Sequence, residues 1–152
     1  DNFPWRLVHG FSMYHKTLLT KRVDFAASHR YWNPNWTEER NRSVFGKCTS
    51  KYGHGHNYIL EVTIEGEVDP ETGMIINLYD LKPMIDDVLK DFDHRDLNDD
   101  NIYFRDRIPT TENIARVFWE LIEKQLGKGA KCRLHRVRLY ETPDLFVDYR
   151  VE

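Results

Sequence analysis

No apolar run in the chain approaches the ~20 residues a membrane-spanning helix needs, and residues 1–20 hold no signal-peptide core. Met74-Ile75-Ile76 is typical of the longest runs. A soluble, cytoplasmic protein is therefore expected, with no membrane partner. Cysteine is scarce: Cys48 and Cys132 are the two present in 152 residues and could pair only once. That is too few to staple a small secreted domain, so both should be free thiols. Positive charge is not in excess either. Lys and Arg total 22 against 25 Asp and Glu, for a formal charge of -3 and a pI near 6.2, so no global field favours nucleic acid. Internal repeats, low-complexity tracts and a Pro/Gly/Ser-rich linker are also missing, which argues against a solenoid or a divided chain. What remains, 40% hydrophobic and 31% charged residues, suits one domain that buries roughly 70% of its unfolded surface.

Residues 1–19 read as an N-terminal extension and 20–152 as that single domain. Alternation from Lys21 to His29 places Val23, Phe25, Ala27 and His29 on one face of a strand. Residues 30–53 have no sustained period and read as a long loop, of the kind that carries function or an assembly contact. From His54 to Ile64 alternation returns and sets His54, His56, Tyr58, Leu60, Val62 and Ile64 together. Asp69-Pro70-Glu71-Thr72-Gly73 has turn composition, so Met74–Leu78 is expected to fold back as a short hairpin strand. A first helix follows, with a stripe of Leu81, Met84, Ile85, Val88, Leu89 and Phe92, Asp80 as N-cap and Pro83 in its first turn. A second runs from Thr110-Thr111 through Ile114, Val117, Phe118, Leu121 and Ile122 to Gly127. His135, Val137, Leu139 and Glu141 then alternate on one strand, and Leu145, Val147, Tyr149 and Val151 on another. The order predicts an α+β fold in which two helices cover one face of an antiparallel sheet.

The strongest chemical signal is His54-Gly55-His56. A separation of two sends both imidazoles to one face, and Gly55 lets another backbone or a ligand come close. A histidine pair hydrogen-bonded within an interface is the competing explanation. His29, at the end of a neighbouring apolar face, adds a third imidazole. Three neutral imidazoles suit Zn²⁺ and leave its fourth position open, as a catalytic site does. Cys48 precedes His54 by six residues. It is either an inert loop thiol or, beside a metal or imidazolium that lowers its pKa, a thiolate base or nucleophile. In Asp93-His94 a carboxylate can orient an imidazole, although a solvated helix end has the same composition. Glu141 shares the inward parity of Val137 and Leu139, as a salt-bridge partner or a ligand anchor.

Seven stretches, in order, carry a resemblance: Phe25-Ala26-Ala27-Ser28-His29-Arg30, Phe45-Gly46-Lys47-Cys48, Gly53-His54-Gly55-His56-Asn57-Tyr58, Gly73-Met74-Ile75-Ile76-Asn77-Leu78, Asp93-His94, Thr110-Thr111-Glu112-Asn113 and Tyr140-Glu141-Thr142. From about Val23 to its C-terminus the chain resembles the 6-pyruvoyl-tetrahydropterin synthase family. The resemblance implies His29, His54 and His56 as ligands of Zn²⁺, Cys48 with Asp93 and His94 as the proton-transfer group, and Glu141 as pterin anchor. It further implies that Thr110, Thr111 and Glu112 shape the pterin pocket. The implied reaction converts 7,8-dihydroneopterin triphosphate to 6-pyruvoyl-tetrahydropterin with loss of triphosphate, by internal redox tautomerisation and without a nicotinamide. The implied fold is the tunnelling fold, in which three sheets close a barrel and two barrels stack as a homohexamer, a dimer of trimers with interfacial active sites. Asp93 and His94 would then reach Cys48 from an adjacent subunit.

The nearest alternative is a 6-carboxy-tetrahydropterin synthase of queuosine biosynthesis, whose usual cysteine-to-histidine interval is shorter than that from Cys48 to His54. A relative with glutamate in place of the cysteine is disfavoured by Cys48. A catalytically silent pterin-binding or assembly protein is disfavoured because every catalytic position is filled. A zinc hydrolase would survive Cys48→Ala. Thr142-Pro143-Asp144 departs from the family pattern, and His9 and His15 correspond to no family role.

Overall fold

In the computed structural model, which describes residues 16–152 except residue 129, the helix-bearing face of one five-stranded sheet buries the apolar residues. Strand β1 (Thr17–His29) pairs antiparallel with β2 (His54–Gly66), β2 with β4 (Cys132–Thr142), and β4 with β5 (Leu145–Tyr149). A two-residue strand, β3 (Arg95–Asp96), pairs parallel with β1, giving the order β3-β1-β2-β4-β5. The sheet is therefore mixed at one edge rather than wholly antiparallel. The helices are α1 (Glu38–Phe45), α2 (Leu78–Leu89) and α3 (Thr111–Leu126). Residues Thr17–Leu19 belong to β1; most of the expected extension, including His9 and His15, lies outside the described residues.

Alternation on β1 and β2 turns Phe25, Ala27, Tyr58, Leu60, Val62 and Ile64 toward α2 and α3, where all are buried. From α2 come Leu81, Ile85, Val88 and Leu89, and from α3 Ile114, Val117, Phe118 and Ile122. Phe118 links the layers, with ring centroids 4.4 Å from Phe92 and 5.5 Å from Phe25. Burying such side chains contributes roughly 1.5–3 kcal/mol each. No helix among the described residues is long and apolar enough to cross a membrane.

Local chemistry departs from the periodicity in four places. The span 30–53 is not all loop: Thr37 caps α1 by accepting from Arg40 N at 3.2 Å, and a 3₁₀ turn follows over Gly46–Thr49. Asn41 anchors this segment from inside, accepting from Asn33 N at 2.7 Å and donating to the Asn33 and Thr37 carbonyls at 2.9 and 3.1 Å. Met74–Leu78 forms no strand, because β1 and β4 already occupy both edges of β2. Asp69 instead folds the turn on itself, its carboxylate accepting from Glu71 and Thr72 N at 2.8 and 3.0 Å, while Ile75 and Ile76 pack against the core.

The N-cap of α2 is Asn77, which accepts from Tyr79 N at 2.9 Å, rather than Asp80. Pro83 consequently sits in the second turn, where its ring removes the amide that would bond the Tyr79 carbonyl. Finally, the β2–β4 register slips between Thr63 and Ile64, which oppose Arg136 and Leu134. This bulge puts Leu134 on the core face with Val137 and turns His135 to the helix-free face, where its Nδ1 lies 2.8 Å from Glu65 Oε2.

Candidate metal centre and active site

The β1–β2 register sets His29 directly opposite His54, with His56 two residues along on the same face. One ring nitrogen from each of the three lies within 4.8 Å of the other two. His29 is fully buried, and its Nδ1–H donates to the Pro109 carbonyl at 2.7 Å. That bond fixes the tautomer and leaves Nε2 as a lone-pair donor, the second contact by which metal-binding histidines are oriented. Its Nε2 stands 3.2 Å from His54 Nε2. His56 Nε2 is buried without a hydrogen-bond partner among the described residues. It lies 3.4 Å from Glu141 Oε1, outside acceptable hydrogen-bond geometry. Burial lowers the pKa of His29 and of His56, outweighing the opposing pull of Glu141 on His56. Three converging imidazoles, one with an orphaned nitrogen, fit a tetrahedral divalent metal such as zinc with one position open.

Around this group lie two tyrosines. Tyr58, which shares the histidine face of β2, brings its hydroxyl within 3.1 Å of His29 Nδ1. The Tyr31 ring meets the His29 ring edge-on at 5.1 Å, and burial, with Glu141 nearby, holds its phenol protonated well beyond the usual range. Tyr31 was not singled out from the sequence, although it continues the alternation two residues beyond His29. Pro109 contributes only a backbone carbonyl and has no side-chain signature.

Cys48 is set beside Tyr31 by the 3₁₀ turn, its carbonyl accepting from Tyr31 N at 2.8 Å. Burial and then the Glu141 charge push its thiol above the ordinary value. Among the described residues nothing supplies the expected lowering. Glu141 accepts from Thr111 Oγ1 and so joins α3 to the histidine group. Thr110 uses its hydroxyl to cap α3, accepting from Asn113 N at 3.2 Å, and Glu112 is exposed in the first turn.

Asp93 and His94 stand apart. The Asp93 carboxylate accepts from Ala26 N at 3.0 Å and His94 Nδ1–H at 2.8 Å, which, led by the Ala26 bond, lowers its pKa. His94 adopts φ of 58° and donates its own N–H to Ala26 O. It borders a groove at the end of β1 and the start of β2 that Ala26, Ala27, Ser28, Gly55, His56 and Asn57 also line. Neither Asp93 nor His94 hydrogen-bonds Cys48 or the three histidines in the described chain. One chain thus joins metal ligands, thiol and Glu141 on one face, and holds a carboxylate-oriented imidazole that hydrogen-bonds none of them.

The family model described as 6-pyruvoyl tetrahydropterin synthase matches residues 18–152. A human relative named 6-pyruvoyl tetrahydrobiopterin synthase is 42% identical over 135 residues, covering 88% of this chain and 91% of its own. The Drosophila melanogaster relative of the same name is 42% identical over 134 residues, covering 88% and 79%. The solved structure of Caenorhabditis elegans 6-pyruvoyl tetrahydropterin synthase superposes with a TM-score of 0.85 at 33% identity, covering 91% of this chain and 97% of that one. Together with the histidine, cysteine and glutamate geometry, these matches establish that the chain belongs to the 6-pyruvoyl tetrahydropterin synthase family.

Proposed function

We propose that this protein is a zinc-dependent 6-pyruvoyl-tetrahydropterin synthase, eliminating triphosphate from 7,8-dihydroneopterin triphosphate and rearranging the product to 6-pyruvoyl-tetrahydropterin. The observation that carries the reading is the single-face assembly of three convergent imidazoles, Cys48 and Glu141. His29, His54 and His56 would hold zinc, which when bound supplies a Lewis acid for side-chain hydroxyls. The Glu141 carboxylate, steadied by Thr111, accepts hydrogen bonds from the amino-pyrimidine edge of the pterin. Cys48 takes the proton from the side-chain carbon, and the Asp93–His94 pair returns protons during tautomerisation. Thr110 and Glu112 complete the pocket wall at the start of α3. The six-residue interval from Cys48 to His54 and the names of the relatives favour the pyruvoyl product over 6-carboxy-tetrahydropterin.

The reading includes a homohexamer built from two trimeric barrels. Two features of the chain support it. Beyond the two residues that pair with β3, the outer edge of β1 has no strand partner among the described residues, and neither has the outer edge of β5. Exposed edges of this length invite pairing with another chain, and a closed barrel removes them. Two free cysteines suit a reducing, cytoplasmic compartment.

Product analysis of zinc-loaded protein with 7,8-dihydroneopterin triphosphate and no reductant tests the function. Triphosphate release with 6-pyruvoyl-tetrahydropterin, lost in Cys48→Ala while bound zinc stays at one per chain, is the expected result. Formation of 6-carboxy-tetrahydropterin and acetaldehyde, or undiminished turnover in Cys48→Ala, would overturn it.

A further inference from the structure

A cleft of about 860 Å³ opens beside the histidine group, and Arg30, Lys51, Arg105 and Arg107 line it together with Trp32 and Pro109. The metal site fixes its position. Arg30 follows His29 and Gly53 precedes His54, Gly53 itself lines the cleft, and Pro109 is the residue whose carbonyl receives His29 Nδ1–H. Glu141 lies on the opposite flank, on β4 beyond β2, next to His56. The three histidines thus stand between a carboxylate suited to a pterin ring and a cleft furnished with cations. A pterin whose side chain ends in a triphosphate has its parts in that same order.

The cations are available for such a ligand. The Arg30 guanidinium stacks over Trp32 at 4.3 Å and spends only Nε on the protein, donating to the Thr49 carbonyl at 3.2 Å. Its Nη groups make no hydrogen bond with a described residue. Lys51 and Arg105 form no ion pair among the described residues, whereas Arg107 reaches Glu120 at 3.4 Å. Asp96, Asp99 and Asp106 also line the cleft. Asp96 is already occupied, accepting from Ser28 Oγ at 2.8 Å and from Asn98 N and Asp99 N at 3.0 Å each. The lining keeps a formal excess of one positive charge, although the chain as a whole carries -3.

We propose that this cleft is the subsite for the triphosphate group of the substrate, with Arg30, Lys51 and Arg105 as its anion-binding residues. The proposal rests on the function assigned above. Arg30 is held flat by Trp32 and offers a planar fork to two phosphate oxygens. Lys51 and Arg105, both exposed, act as further charges toward the end of the chain of phosphates. Contacts made equally before and during the chemical step raise substrate affinity more than turnover.

The test is calorimetric titration of the full-length zinc protein with methyl triphosphate and, separately, with phosphate-free 7,8-dihydroneopterin. Wild type is compared with Lys51→Gln/Arg105→Gln and with Arg30→Lys; the first pair are surface positions whose replacement should leave folding intact. Any chelation of metal by the phosphates is common to all three proteins and cancels in the comparison. Loss of each cation should weaken methyl triphosphate binding on the order of tenfold, with Arg30→Lys intermediate, dihydroneopterin binding unchanged, and KM for the triphosphate substrate rising while kcat holds. Equal affinity of wild type and the double variant for methyl triphosphate, or no binding by wild type, would overturn the subsite. Failure of the functional assignment reads differently: no pterin product forms, while the methyl triphosphate titration still decides what the cleft binds.

Discussion

Gly53 holds the histidine geometry through the absence of a side chain. Its φ is +69°, and a Cβ there would lie 2.6 Å from the His29 carbonyl oxygen and 3.1 Å from the carbonyl carbon, backbone atoms that cannot swing away. Gly53→Ala should cost about 1–2 kcal/mol in left-handed strain alone. It should also push apart the strand ends that carry His29 and His54, lowering bound zinc below one per chain in metal analysis. A fully zinc-loaded variant with wild-type Tm would contradict this. Cys48 provides a second residue-scale prediction. Burial and the Glu141 carboxylate both disfavour its thiolate, so Glu141→Gln should remove the electrostatic part and lower the thiol pKa. Iodoacetamide labelling of Cys48 near neutral pH should then quicken even as pterin affinity falls; slower labelling would reverse the sign of the argument. The histidines, Cys48 and Glu141 were legible in the sequence because period-two alternation assigns each strand residue to a face. Tyr31 lay past the end of its strand, and Pro109 acts through a carbonyl that every residue possesses.

At the scale of elements, strands were easier to find than helix ends. Alternation locates β1 and β2 without knowledge of partners, whereas α1 is anchored by the buried polar side chain of Asn41 and shows little apolar period. The start of α2 depended on which of two capping residues, Asn77 or Asp80, closed the first turn. The bulge in β4 could not be read because it resides in the pairing with β2. That bulge gathers His135 and Arg133 around Glu65, which also meets Lys16 at 2.6 Å. These partners, led by Lys16, hold the Glu65 carboxyl at about 2, against 4.5 ordinarily. A carboxyl depressed in the folded state stabilises above its unfolded pKa, and this contribution is lost as pH falls through the folded value. The stabilisation should therefore be complete at pH 6 and disappear between about 4.5 and 2. Urea unfolding followed across that window should show a shallower acid decline for Glu65→Gln than for wild type. Identical slopes would mean that the cluster does not couple to folding.

For the whole molecule, the separation of Cys48 from His94 has a consequence that no single-chain variant can test. The thiol, Glu141 and the histidines share the helix-bearing face, whereas His94 is held at the edge of β1 by Asp93 and the Ala26 backbone and hydrogen-bonds none of them. If a site takes Cys48 from one subunit and His94 from its neighbour, Cys48→Ala and His94→Ala damage different halves of it. Each variant alone should be nearly inactive while remaining assembled and zinc-loaded. Co-expressed in equal amounts, they should produce mixed assemblies in which about a quarter of the sites draw both intact residues from different subunits, by random placement around a closed ring. Recovery of activity toward a quarter of wild type, in particles that light scattering finds at the wild-type mass, is the expected outcome. If both groups served within one chain, no mixture could contain an intact site and activity would stay at the level of the separate variants. The same co-expression with Cys48→Ala and His56→Ala is the control, because thiol and metal ligand share one chain and their mixture should recover nothing.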